Sequence, residues 1–221
     1  MDYELDAIQA RILGVLIEKQ MATPDYYPMT LNALINACNQ KTNRDPVMNL
    51  EQAEVEQALG ALREHRLVWQ VMTHGSRISK YEHNMKEAAE FSRRDLALLC
   101  ELLLRGAQTA GELRARTARL TEFHGLAAVE HTLKKLSEHE RGPFVIKLPR
   151  RPGHKENRYA HLFSEMDEAE ITAEPLIAET GHRKENADSG PIDALEKRVN
   201  DLETELNSLR EQFLEFKREF E

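Results

Sequence analysis

The sequence predicts a mainly α-helical chain with small β-hairpins (α+β), built as two tandem winged helix-turn-helix domains followed by a coiled-coil helix. Three observations predict it. Residues 30–67 give two helical patterns joined by an Asn-rich loop and run directly into a hairpin pattern, VWQVMTHGSRISKYEH. A second, weaker copy of that order follows, with VExxLxxLxEH at Val55–His65 repeated at Val129–His139 and KYEH at 80–83 echoed by RYAH at 158–161. Finally, Ile192, Leu195, Val199, Leu202, Leu206, Leu209, Phe213, Phe216 and Phe220 alternate spacings of three and four, the seam of a coiled coil. These predict a first domain at 1–90, a second at 91–163, an acidic flexible linker at 164–190 and a coiled-coil helix at 191–221.

In chain order, Leu5 to Gln20 carries apolar residues at 5, 8, 12, 15 and 16, one face of a helix. Pro24 and Pro28 make the next stretch a connector. Thr30 is suited to cap the following helix, whose apolar series is Leu31, Leu34, Ile35 and Cys38. Pro46 breaks the period, and Asn49 with Gln52 reads as a capping box for a third helix burying Val55, Leu59 and Leu62. Val68–Met72 and Ile78–His83 are the hairpin strands.

The cycle restarts with Ser92 and Asp95 capping a helix of Leu96, Leu99 and Leu103, stopped by Gly106. Thr109 with Glu112 opens the next helix, carrying Leu113, Thr117 and Leu120. Leu126, Val129, Leu133 and Leu136 mark a third helix, and Phe144, Ile146 and Leu148 alternate as a strand returning at 158–163.

At 221 residues, 41% hydrophobic and 31% charged, the chain has material for one or two soluble domains. No apolar run reaches the roughly 18–20 residues of a membrane span. The acidic N-terminus lacks the features of a signal peptide, so a cytoplasmic address is expected. Two cysteines, Cys38 and Cys100, sit inside helical patterns and read as small buried hydrophobes. No glycine-rich phosphate loop or HExxH occurs, and the nine histidines are scattered. His65 and His139 recur at equivalent helix ends, where a partial positive charge suits the dipole. The chain is expected to be no enzyme and to need no cofactor or metal.

The net charge of −8 is uneven. Residues 1–90 hold 9 basic and 13 acidic residues, whereas 91–163 hold 14 basic and 8 acidic; both remaining segments are acidic. A basic segment in an acidic chain points to an anionic partner or an internal charge match. The candidate nucleic-acid contacts are Arg150, Arg151 and Lys155 in the second wing, Lys134 and Lys135 in its third helix, and Arg114 and Arg119 near its second. In the first domain Lys41 and Arg44 stand beside Asn36, Asn39, Gln40 and Asn43, which either read base edges or satisfy loop backbone. Against DNA stands the start of the first domain's third helix, where Glu51, Glu54 and Glu56 face phosphates badly. Two partner readings follow: double-stranded DNA, or a protein bound by a winged-helix scaffold. A homodimer through the C-terminal helix is expected in both, with its orientation open.

The runs IEKQMATPDYYPMTLNALINACNQKTNRDPVMNL and LLLRGAQTAGELRARTARLTEF closely resemble the YceH-like proteins of bacteria, over about residues 3–163. The NQKTNR-PVM run is unusual in ordinary winged helices. Where that pattern leads one to expect Pro after the Thr109 cap, this chain has Ala110, and either suits a first helical position. That family is one of unknown function; the resemblance implies a tandem winged-helix fold and a bacterial cytoplasmic setting, with DNA binding as an expectation, and it carries no catalytic residues. Residues beyond 163 lie outside it.

Overall fold

The structure is a computed structural model that describes residues 4–72, 78–151 and 156–165. Among these residues there are six α-helices and two small antiparallel sheets. The expected coiled coil and most of the acidic linker lie outside the described residues.

Helix α1 (Ala7–Ala22) leads, followed by a 3-10 turn at Pro24–Tyr26 and the short strand β1 (Met29–Thr30). Helices α2 (Leu31–Cys38) and α3 (Gln52–Glu64) come next, then strands β2 (Val68–Met72) and β3 (Ser79–His83). The same order recurs as α4 (Arg93–Arg105), β4 (Gln108–Thr109), α5 (Ala110–Thr117), α6 (Leu126–Ser137), β5 (Val145–Lys147) and β6 (Arg158–His161). Each sheet has its last strand in the middle, β1-β3-β2 and β4-β6-β5. Met29 pairs with Tyr81 in the first sheet and Gln108 with Tyr159 in the second.

Local caps explain most boundaries. Thr30 accepts from the Ala33 amide at 3.3 Å, and Thr109 from that of Glu112 at 3.2 Å. Ser92 and Asp95 bond reciprocally at 3.2 and 2.8 Å. Gly106 ends α4 at φ +69°, a conformation that favours glycine. Two boundaries differ from expectation. Helix α1 starts after Asp6, whose carboxylate caps Ile8 and Gln9 at 2.8 Å each, so Leu5 precedes the helix and its amide reaches Phe163 O instead. For α3 the cap is Glu51, whose amide donates to Glu54 at 2.8 Å, in place of the Asn49–Gln52 pair. Asn39 accounts for the shift, because it clamps Leu50 with Nδ2 to the carbonyl at 2.9 Å and Oδ1 to the amide at 2.7 Å.

Helix α1 buries more than one face. Every residue from Ala10 to Glu18 is buried, because α1 packs on α2, α3 and β3 of its own half and on α4 of the other. Gly14 permits the closest approach: a Cβ there would stand 2.9 Å from Leu104 Cδ2 and 3.1 Å from Leu103 Cβ. One hydrophobic core therefore runs through both repeats. In the second half Phe144 makes an edge contact with Phe91 and stacks on Phe163, centroids 4.8 and 5.6 Å apart. Phe144 and Val145 are both buried, so simple alternation fails at this short strand. Leu126, expected inside, is 40% exposed because it opens α6 at the surface.

Candidate nucleic-acid interface

The nine predicted nucleic-acid cations separate into three groups. Arg114, Lys134, Lys135, Arg150 and Arg151 are exposed in the second half, and Lys41 is exposed in the Asn-rich loop of the first. Arg44 is buried, Arg119 is exposed but engaged by two buried carboxylates, and Lys155 lies outside the described residues.

The exposed group has some local order. Arg150 Nε donates to Asn157 Oδ1 at 3.3 Å, and Asn157 Nδ2 donates to Leu148 O at 2.9 Å, bracing the base of the β5–β6 loop. Lys134 and Lys135 share a shallow concavity with His131, Glu138, His139 and Glu140. Lys135 pairs with the buried Asp95 at 3.0 Å, and Lys134 stands 3.9 Å from Glu138. That concavity is nearly charge-balanced, which leaves Arg114 and the arginines of the hairpin as the more strongly presented cations. At the start of α3, by contrast, the cap Glu51 and the helical Glu54 and Glu56 are all exposed.

Arg44 corrects the expectation of a solvent-facing cation: it is 5% exposed. Its guanidinium grips Glu18 with two bonds of 2.6 and 3.2 Å. It also donates to the carbonyls of Ala37 and Asn43 and to Gln40 Oε1. Burying a cation without a carboxylate and carbonyl partners is prohibitively costly, so this geometry fixes the loop around it. Asn43, in the left-handed region at φ +57°, accepts from Arg105 of α4, and the Asp45 amide donates to Leu104 O. The Asn-rich loop thus serves as a strut between the halves, with Asn39 and Arg44 internal.

Arg119 completes the same cluster. Its Nη1 and Nη2 lie 2.7 Å from Glu18 and 2.7 Å from Glu101, joining α1 to α4. Burial pushes the Glu18 carboxyl up, but the Arg44 hydrogen bonds and the charges of Arg44, Lys19 and Arg119 outweigh it and hold it at about 2. For Glu101 burial wins over Arg119 and Arg105, and its carboxyl is raised. The cluster was missed by sequence reasoning, although Glu18 inside GVLIEK and Glu101 inside LLCELLL are charges set within apolar runs. Such a charge in a buried helix signals an internal partner.

The thiols stay inert: Cys38 is pushed up to about 12 by burial, and Cys100 is raised well above the ordinary range. His65 caps α3, and the His139 ring stands 5.1 Å from that of Phe144. Among the described residues no group of three or more His, Cys, Asp and Glu is arranged to hold a metal ion, and no helix is long and apolar enough to cross a membrane.

Comparison with known proteins agrees with the resemblance read from the sequence. A family described as "Protein of unknown function, DUF480" matches residues 5–154. A UPF0502 protein of Hahella chejuensis (strain KCTC 2396) is 45% identical over 216 residues, covering 96% of this chain and 93% of its own length. The chain therefore belongs to the DUF480 family of proteins of unknown function.

Proposed function

We propose that the chain is a non-enzymatic DNA-binding or regulatory protein built of tandem winged helices, with boundaries near residues 90 and 163 and a C-terminal coiled coil that pairs two copies in the cytoplasm. The observation that carries this reading is the twice-repeated helix–strand–helix–helix–hairpin order, in which the second hairpin presents Arg150 and Arg151 while the first half's third helix presents acids. Phosphate contact then belongs to the second half, through Arg114, Lys134, Arg150, Arg151 and Lys155. Helix insertion by α3 would bring Glu51, Glu54 and Glu56 against phosphates, so the first half plays the supporting part. Retardation of duplex DNA by the full chain, weakening steeply as salt rises, is the expected result. Absence of retardation at low salt contradicts it.

A second reading, a protein-interaction scaffold, draws on the first hairpin. Trp69 and Met72 of β2 are 51% and 69% exposed, and β2 is an edge strand. Exposed aromatic anchors are typical of protein interfaces. A pull-down from cell extract repeated after nuclease treatment separates the two: partners retained favour the scaffold, partners lost favour nucleic acid.

A further inference from the structure

Strand β2 is an edge of the first sheet, and its sequence, VWQVM, holds no charged residue. The alternation of the sheet fixes which of its backbone groups face outward. The His83 amide donates to Tyr27 Oη at 2.7 Å, away from β2, whereas the next amide, that of Asn84, donates to Leu67 O at 2.7 Å. His83, Tyr81 and Ser79 therefore turn their backbones from β2, and the residues opposite them, Val68, Gln70 and Met72, direct N–H and C=O to the free edge. Val68 is buried, but Gln70 and Met72 are exposed. Among the described residues no backbone bond outside the β2–β3 ladder engages either of these two.

An open edge pairs readily with another strand, and proteins usually guard it with charge, proline or brevity. The repeat-equivalent edge β5 is guarded in all three ways: it is three residues long, ends in the exposed Lys147 and lies between Pro143 and Pro149. Strand β2 has none of these devices. Its outer face presents the exposed Trp69 with the half-buried Val71 beside it, and the exposed Ile78 precedes β3.

We propose that β2 pairs antiparallel with β2 of a second copy of this chain, about a two-fold axis through Val71, joining the two sheets edge to edge. The strand is its own complement in this register. Gln70 of each copy stands opposite Met72 of the other, and both pairs exchange their outward backbone bonds. The two Val71 side chains meet in the close, non-hydrogen-bonded position, and Trp69 of each copy lies diagonal to Val71 of the other, within reach of an aromatic ring. Charge admits a second copy here. Chains of net charge −8 repel overall, yet this edge is uncharged, and Lys80 and Glu82 behind it on β3 offset each other. The pairing claims the hairpin edge for a second copy in place of a foreign protein, and it rests on neither phosphate contact nor the coiled coil.

The test places one new cysteine at a time in the full chain, whose own Cys38 and Cys100 are buried. Val71→Cys sets the two Cα atoms about 4.5 Å apart, within disulfide range. Lys80→Cys, opposite Val71 on β3, sets them about 14 Å apart across three strand spacings, beyond that range. In oxidised glutathione, Val71→Cys is expected to form a disulfide-linked dimer at least tenfold faster than Lys80→Cys on non-reducing gels. Adding Gln70→Pro removes an edge-facing N–H while leaving the β2–β3 ladder whole. It is expected to slow the Val71→Cys linkage at least tenfold with the helical circular dichroism unchanged. Equal linkage rates for the two cysteines, or a Val71→Cys rate undiminished by Gln70→Pro, overturn the proposal. Pairing through the C-terminal helix concentrates both cysteines alike and no DNA is used, so the rate ratio stands apart from the proposed function.

Discussion

Replacing Glu18 by Gln would leave the buried Arg44 guanidinium without its carboxylate and weaken one arm of Arg119. Breaking a buried ion pair in this way costs about 3–5 kcal/mol, so chemical denaturation should show a fall of that order for Glu18→Gln. The pH dependence carries the same signature. Glu18 is held at about 2 against an ordinary 4.5, so its contribution is fully present above pH 4.5 and is lost as pH falls towards 2. The shift corresponds to roughly 3 kcal/mol. The stability gap between wild type and Glu18→Gln should therefore close across that window. His83 and His161 act earlier: burial lowers both to about 4 from 6.5, so the unfolded chain takes up their protons first and stability declines as pH falls from 6.5 towards 4. A stability profile flat between pH 6.5 and 4 would contradict the burial of these two rings.

The α1–α4 contact carries the union of the two halves, and its weak point is Gly14. A larger residue must displace Leu104 and Leu103 of α4, and overpacking of this kind typically costs about 1–3 kcal/mol. Gly14→Val should lower the thermal midpoint, whereas Gly60→Ala, with open space around it, should hold or raise it. These elements also show how far sequence reasoning reaches. Caps and periodicities disclosed α2, α4, α5 and both hairpins, because Thr30, Ser92 and Thr109 act locally. The all-round burial of α1 was illegible, since it depends on α4, whose Cys100 meets Gly14 across a separation of 86 residues. Likewise the role of Arg44 depends on Glu18, 26 residues upstream, and the residues between them carry no signal of the pairing. Of the candidate site, the positions of the hairpin cations were legible from charge counting, while the burial of Arg44 and the pairing of Arg119 with Glu18 and Glu101 were decided by tertiary packing.

At the scale of the molecule, the repeats share one core and a buried ionic cluster, so they are expected to unfold together in a single cooperative transition. The heptad seam from Ile192 to Phe220 lies outside the described residues. The proposed pairing predicts that sedimentation of the full chain gives a dimer and that removing residues 191–221 halves the mass; an unchanged mass would remove the coiled-coil assignment. Placement of phosphate contacts in the second half is the central claim. Fluorescence anisotropy of labelled duplex DNA, titrated with the full chain at rising salt, tests it most directly. Wild type should bind with an affinity that falls steeply with salt, and Arg150→Ala/Arg151→Ala/Lys155→Ala should bind more weakly with a shallower slope, by up to about three for three lost phosphate contacts. Identical affinity and salt slope in the two proteins would contradict it.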